Sequence, residues 1–268
     1  MPGTARIVTL LTDFGEQDHY VAAMKGVMLS INPNLIFVDI THQIPPQDIQ
    51  SGAFSIGQAY AYFPGETIHV AVVDPGVGTE RKALVVRAGE QFFVAPDNGI
   101  LSHVLDKEPE ARVYEVTADH YFRKPISATF QGRDVFAPVA GWLSRDIHLD
   151  QFGAAYEQPV RLAVPRLAKL KGNLIQAAVL AVDRFGNLIT NLTPADLPPF
   201  GAPGDKGCKL LAAHREITVF RRTFAEGSPG ELFVVPGSTG YLEIVIRNGS
   251  AAATLSLGPG AMIGVVLS

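Results

Sequence analysis

The chain has 268 residues, of which 47% are hydrophobic and 18% charged, and its formal net charge is -4. This composition is typical of an ordinary globular protein, and the length allows one large domain or two of moderate size. Because the net charge supplies no basic field, nucleic acid and anionic membranes are excluded as expected partners. A small-molecule substrate is favoured instead.

The cysteine and histidine content argues against disulfides and metal sites. The single cysteine, Cys208, allows neither an intrachain disulfide nor a thiolate metal cage, and the seven histidines lack the spacing of a zinc site. We therefore expect no metal. The N-terminal segment does not resemble a signal peptide, and no run approaches the roughly 20 apolar residues of a membrane span. These features predict a cytoplasmic protein.

Short apolar runs alternate with helical patterns in the first half of the chain, which predicts an α/β domain with a mostly parallel sheet. The predicted elements are a strand over 6–13, a helix over 20–31, a strand over 35–41, a helix over 48–63, a strand over 67–74, a hairpin over 82–96 around Gly89, and helices over 99–108 and 133–145. Ligands bind outside the carboxyl ends of strands in such sheets. Asp13, the segment 39–42 and Asp74 follow three strands and are expected there.

A change of pattern follows Pro159, where two prolines and a basic cluster interrupt the chain up to Gly172. We predict a domain boundary there, with an N-terminal domain over 1–162 and a C-terminal domain over 173–268. Short strands separated by glycine-bearing turns predict a small barrel or sandwich in the second domain. These strands are predicted over 174–183, 216–224, 231–236, 240–249, 252–257 and 261–267.

The segment His69–Val86, "HVAVVDPGVGTERKALVV", places an acid and a guanidinium on either side of a tight turn. One interpretation is a plain Asp-Pro-Gly turn with Arg81 as a surface partner of Asp74. However, the run before Asp74 is apolar enough to be buried on both faces, and Gly76 and Gly78 would allow close approach of a ligand. These features favour a functional site.

Three other segments carry polar or aromatic side chains with two interpretations each. Asp13 either accepts hydrogen bonds from ribose hydroxyls or caps a helix that begins near Asp18. In "TFQGRD" (129–134), either Arg133 and Asp134 are only charges of a first helical turn, or Gln131 reaches into a cleft. Phe185 and Phe224 suit either a hydrophobic core or stacking on a purine, for which Asn187 could supply an amide.

Six segments in order resemble the S-adenosylmethionine hydroxide adenosyltransferase family, which is related to the fluorinase and chlorinase enzymes. They are "LLTDFGEQDHYVAAMKGVM", "DITHQIPPQDI", "VVDPGVGTERKALVV", "APDNGILS", "TFQGRDVFAPVAG" and "VDRFGNLITNL". The resemblance implies a three-layer-like N-terminal α/β domain, a C-terminal β-barrel domain, and a homotrimer with active sites between neighbouring subunits. It also implies attack of water or hydroxide on the ribose 5′-carbon of S-adenosylmethionine, which gives adenosine and L-methionine without a cofactor.

The family's hydrolytic triad is Asp, Arg and His, and the resemblance places Asp74 and Arg81 at the first two positions. Gln131 replaces the histidine. An amide can position a water but cannot take up a proton near neutral pH. An alternative is therefore a binding protein with very slow turnover or none. A third interpretation, 5′-halogenation, is disfavoured because the halogenases carry Tyr in place of the acid.

The resemblance also implies a set of substrate-binding residues. Asp13 would bind the ribose hydroxyls, Asn187 the adenine edge, and Asp183 and Ser238 the amino-acid group. The purine would lie against Phe185 or Phe224, and two further candidates are Tyr241 and Glu243. A fluorinase arginine for the methionine carboxylate falls near Thr239, so that contact is unassigned.

Overall fold

The structure, a computed structural model, describes residues 5–198 and 207–267. The chain divides into two units, Met1–Leu162 and Ala163–Ser268. The first unit combines helices with a mostly parallel sheet, and the second is built on an antiparallel, barrel-like sheet. The predicted fold class is therefore confirmed.

Over the described residues 5–162, the first unit contains six strands and four α-helices. In chain order they are β1 (Arg6–Thr12), α1 (Tyr20–Ile31), β2 (Leu35–Thr41), α2 (Ile49–Ala59), β3 (Ile68–Val72), β4 (Ala83–Ala88), β5 (Gln91–Pro96), α3 (Ser102–Lys107), β6 (Arg112–Glu115) and α4 (Ala137–Leu143). A π-helical turn over Gly132–Phe136 leads directly into α4. The sequence did not predict β6.

The sheet of the first unit has the strand order β2-β1-β3-β5-β4-β6. The pairs β1/β2, β1/β3 and β3/β5 are parallel, whereas β4 is antiparallel to β5 and β6, so the predicted hairpin is confirmed. Because β1, β2 and β3 run in the same direction, their carboxyl ends lie at the same edge of the sheet. Asp13 and Asp74 follow two of these ends.

Separate hydrophobic clusters cover the two faces of this sheet. Met24 and Met28 of α1 belong to one cluster, and Ile56 of α2 belongs to the other. All five residues of β3 are buried, as the apolar run before Asp74 predicted. A parallel sheet with both faces covered produces such continuous apolar strands.

Within residues 163–198 and 207–267, the second unit contains eight strands and one short α-helix. They are β7 (Ala168–Lys169), β8 (Leu174–Val182), β9 (Leu188–Thr190), β10 (Cys208–Ala212), β11 (Arg215–Ile217), β12 (Leu232–Pro236), β13 (Leu242–Ile246), α5 (Ala251–Leu255) and β14 (Met262–Leu267). The order is β11-β10-β14-β8-β9-β13-β12, with β7 paired to β8. Backbone hydrogen bonds link Val234 of β12 to Val219 and Arg221, which lie just after β11, so the sheet nearly closes on itself.

Two strand predictions in the second unit were wrong. The segment 252–257 lies mostly in helix α5, because Ser250 caps this helix through its Oγ, which accepts from the backbone N of Ala253 at 3.0 Å. Alanines favour a helix once such a cap is present. The predicted strand 216–224 ends at Ile217, and β10 was missed.

Among the residues that the structure describes, no helix combines the length and the apolar character needed to cross a membrane.

His69 lies in the buried strand β3 and is expected to make stability depend on pH. Its Nδ1 lies 2.7 Å from Thr9 Oγ1, and its Nε2 lies 3.3 Å from Gln91 Oε1. Burial lowers its pKa to about 4, although the Gln91 contact acts in the opposite direction. As pH falls from about 6.5 toward 4, the unfolded chain therefore takes up a proton that the folded chain resists, and the free energy of unfolding decreases by about 3 kcal/mol.

Urea unfolding at a series of pH values measures this effect. His69→Gln should remove this part of the acid dependence, whatever it does to stability at neutral pH. The exposed His214 provides the matched control, since His214→Gln should retain the wild-type slope. An unchanged slope in His69→Gln would rule out His69 as its source.

Candidate active site

Asp74 and Arg81 form a partly buried ion pair across the bend that follows β3. Arg81 Nε donates to Asp74 Oδ1 at 2.9 Å and to Oδ2 at 3.0 Å, and Arg81 Nη2 also donates to Oδ2. The two side chains are only 5% and 11% exposed. Such charge-assisted contacts fix the orientation of both groups. The interpretation of Arg81 as a surface partner is therefore wrong.

Gln131 joins this pair. Arg81 Nη2 donates to Gln131 Oε1 at 2.6 Å. A guanidinium can only donate, so the amide oxygen must face it and the amide NH₂ must point elsewhere. The guanidinium also lies 5.1 Å from the ring centroid of Phe136. The three residues expected to form the hydrolytic triad are thus in contact.

Glycine at position 78 allows the bend to approach the segment that carries Gln131. Gly78 has φ +79, and a Cβ added there would clash with the carbonyl oxygen of Ala128. Only glycine combines this backbone conformation with the required space. The close contact between the bend and residue 128 is therefore built into the sequence.

Asp134 holds the segment that carries Gln131 through hydrogen bonds to its carboxylate. The sequence did not reveal this role. It is fully buried and accepts hydrogen bonds from Arg133 Nε at 2.7 Å, Ser127 N at 2.9 Å and Arg123 Nη1 at 3.1 Å. Burial alone would raise its pKa, but these donors outweigh that effect and lower it. The interpretation of Asp134 as only a first-turn charge is therefore wrong, because its carboxylate holds Ser127 in the segment before Gln131.

Asp13 lies at the carboxyl end of β1, and its Oδ2 accepts from the backbone N of Gln47 at 2.8 Å. Helix α1 instead begins after His19 and has no side-chain cap. The interpretation of Asp13 as a helix cap is therefore wrong. Its position at the strand end leaves the ribose interpretation open.

Neighbouring contacts organise the end of β2 beside Asp13. His42 is buried, with its Nδ1 2.9 Å from Thr12 Oγ1 and its carbonyl accepting from Gly15 N at 2.8 Å. Burial would raise the pKa of Asp39, but contacts with Lys25 and His42 lower it overall. These contacts fix the backbone on both sides of Asp13.

A cavity of about 870 Å³ lies in the second unit. Six of the residues expected to bind substrate line it, namely Asp183, Phe185, Asn187, Phe224, Ser238 and Glu243. Tyr241 is not among the lining residues, although its carbonyl accepts from Gly237 N at 2.8 Å. Arg247 also lines the cavity, and no feature of the sequence had pointed to it.

The two aromatic side chains at this cavity are exposed, Phe185 by 77% and Phe224 by 47%. Their interpretation as core residues is therefore wrong. Arg247 Nη1 holds the segment after Phe224 by donating to the carbonyls of Ala225 at 3.2 Å and Gly227 at 2.8 Å. Exposed ring faces beside polar groups suit a planar, partly polar ligand.

The turn between β8 and β9 fixes Asp183 and Asn187 relative to each other. Asp183 Oδ1 accepts from the backbone N of Phe185 at 2.9 Å and of Asn187 at 2.8 Å, and Oδ2 accepts from Asn187 Nδ2 at 2.8 Å. Gly186, with φ +83, packs so closely on Ser250 that a Cβ would clash. Because the Asn187 NH₂ group donates to Asp183, the amide oxygen of Asn187 is left to accept from a ligand.

Within the described ranges 5–198 and 207–267, no three His, Cys, Asp or Glu side chains are grouped so that they could hold a metal ion.

Family models match both units of the chain. The N-terminal domain model of the SAM hydroxide adenosyltransferases matches residues 8–153, and the C-terminal domain model matches residues 177–264. The chain belongs to the SAM hydroxide adenosyltransferase family. In this member of the family, the Gln131 amide contacts Arg81, which is paired with Asp74.

Individual relatives agree with this assignment. The chain is 38% identical over 256 residues to a protein of Salinispora tropica named (R)-S-adenosyl-L-methionine hydrolase. The alignment covers 94% of this chain and 95% of that relative. A fluorinase of an Actinoplanes species is more distant, at 27% identity with 92% of both chains covered. A crystal structure of an uncharacterized conserved protein from Thermotoga maritima matches with a TM-score of 0.87 and 33% identity, covering 97% of this chain and 99% of that one.

Proposed function

We propose that this protein hydrolyses S-adenosyl-L-methionine to adenosine and L-methionine by attack of water or hydroxide on the ribose 5′-carbon. The contact among Asp74, Arg81 and Gln131 is the observation that carries this proposal. The relative named (R)-S-adenosyl-L-methionine hydrolase supports it.

The leaving group of this reaction departs without protonation by the protein. The nucleophilic oxygen forms a bond to C5′ while the C5′–S bond breaks, and its electron pair passes to sulfur. The positively charged sulfonium becomes the neutral thioether of methionine, so no general acid is required. The proposed reaction also needs no cofactor.

Nucleophile activation would depend on the orientation of Gln131. Because its Oε1 faces Arg81, its NH₂ group would donate a hydrogen bond to the nucleophilic oxygen. Arg81 would favour hydroxide over water through its charge, and Asp74 would hold the guanidinium in place. Hydroxide needs no proton acceptor, and a proton released from water would pass to Asp74 or to solvent.

The residues of the cavity would hold the nucleoside and the amino-acid group. The purine would stack on Phe185 or Phe224, and the Asn187 amide oxygen would accept from the exocyclic amino group of adenine. Asp13 would bind the ribose hydroxyls. Ser238 and Asp183 would contact the amino-acid group.

We also propose that the protein is a cytoplasmic homotrimer with active sites between neighbouring subunits. Its single cysteine is compatible with a reducing compartment. Light scattering of the purified protein tests the assembly, since a monomer mass at working concentration would contradict it.

Product analysis tests the proposed reaction. Incubation of the protein with S-adenosyl-L-methionine should give adenosine and L-methionine in equal amounts. In ¹⁸O-labelled water, the label should enter the 5′-hydroxyl of adenosine. Label in methionine, or a 5′-halogenated nucleoside formed when chloride or fluoride is added, would contradict hydrolysis.

Gln131 favours one second candidate function, a binding protein for adenosine or S-adenosylmethionine with very slow turnover or none. The side chain in contact with Arg81 cannot take up a proton near neutral pH. Calorimetry distinguishes the two functions. Binding of S-adenosylmethionine without products over a long incubation would favour this second candidate.

A further inference from the structure

Glu243 lies on β13 with its carboxylate at the cavity of the second unit. The residue is only 7% exposed. Its Oε1 packs so tightly against Gly237 that a Cβ at that position would clash. Within the described part of the chain, the structure contains no hydrogen bond to this carboxylate. Because this carboxylate faces the cavity without a partner among the described residues, a ligand there can supply the donors or the positive charge that it lacks.

Asp183, the other acid at the cavity, already has hydrogen-bond donors from the chain. Its two oxygens already accept three hydrogen bonds from its own turn, two from backbone N–H groups and one from Asn187 Nδ2. Its main role is therefore to shape the turn, and only part of its acceptor capacity remains for a ligand. Glu243 retains its full capacity.

The electrostatic surroundings of Glu243 favour the binding of a positively charged group. Burial raises the pKa of its carboxyl, and the negative charge of Asp183 raises it further. Arg247 is the basic residue in the lining, but its Nη1 is held by two backbone carbonyls. A positively charged ligand group would offset both carboxylates.

We propose that Glu243 binds the ammonium group of the amino-acid part of the substrate and selects ligands that carry this charge. An ammonium has three donors, which suit the two oxygens of Glu243 and the remaining acceptor site of Asp183. This inference rests on the proposed function. It assigns to Glu243 the main contact that the resemblance implies for Asp183.

Glu243→Gln tests the inference because it keeps the shape and removes the charge. We expect its dissociation constant for S-adenosylmethionine to rise by about 10- to 100-fold, the range for a hydrogen bond between charged groups. S-adenosylhomocysteine keeps the ammonium and lacks the sulfonium charge, so its binding should weaken similarly. Adenosine has no ammonium, so its affinity should change by less than about twofold. Calorimetry with the three ligands measures these effects.

Glu216→Gln is the matched control, since Glu216 is exposed on β11 and its carboxylate pairs with Lys209. It should leave all three affinities unchanged. Three results would overturn the inference in a folded Glu243→Gln protein. Equal weakening for adenosine would indicate a change of cavity shape, and weakening for S-adenosylmethionine alone would indicate recognition of the sulfonium. Unchanged affinity for all three ligands would show that the charge of Glu243 is not used. Failure of the proposed function would differ, because the wild-type protein would then form no products.

Discussion

Asp74→Asn is expected to reduce kcat for S-adenosylmethionine hydrolysis by about 10²- to 10⁴-fold, with a much smaller change in KM. The substitution keeps the size of the side chain but places an NH₂ group or a neutral oxygen against Arg81. The guanidinium is 11% exposed and would lose its counter-charge, its bidentate partner and its fixed orientation. Steady-state kinetics measures the effect, and the unfolding midpoint shows whether the protein remains folded.

Two further variants sharpen this experiment. Arg81→Lys keeps the charge but not the planar fork that contacts both Asp74 and Gln131, so kcat should again decrease by at least about tenfold. Asp150→Asn, at an exposed position, should behave as wild type. Wild-type kcat in folded Asp74→Asn would contradict the role proposed for the pair.

Gln131→His is expected to raise kcat/KM near neutral pH by about 100-fold and to change the pH profile. In the wild-type protein residue 131 cannot take up a proton, so with hydroxide as the nucleophile the rate should follow the hydroxide concentration, about tenfold per pH unit. Neutral imidazole can take the proton from water, and it is neutral above its ordinary pKa of about 6.5. The variant's rate should therefore rise up to this pH and become level above it.

Gln131→Met provides the matched control because it keeps the length of the side chain and removes both the donor and the acceptor. Its kcat should decrease by about tenfold, the value of one lost hydrogen bond to a charged nucleophile. If Gln131→His instead retains the wild-type rate and slope at every pH, residue 131 does not limit activation of the nucleophile.

The fold of the first unit could be predicted because its parallel strands β1 and β3, which are mostly or fully buried, appear in the sequence as apolar runs. The ends of these runs also located Asp13 and Asp74. Asp134 was missed because a buried acid next to an arginine has the same local sequence as an exposed helical turn. Only the three-dimensional contacts of its carboxylate with Arg123 and Ser127 distinguish the two.

Prediction was poorer in the second unit, where short elements depend on tertiary contacts. The segment 252–257 was predicted as a strand, but its alanines and the Ser250 cap make most of it helical. The exposure of Phe185 and Phe224 could not be deduced, since aromatic residues in short strands and turns are more often buried. Glu243 was identified only through resemblance, and its unpaired state emerged from the structure.

The ion pair across the bend has an evolutionary consequence. Each member is nearly inaccessible to solvent, so loss of either one alone leaves a stranded charge and weakens the native state before any new chemistry can be gained. Positions 74 and 81 should therefore be exchanged together when a lineage acquires a different nucleophile. Ancestral intermediates that changed only one of them should have been short-lived.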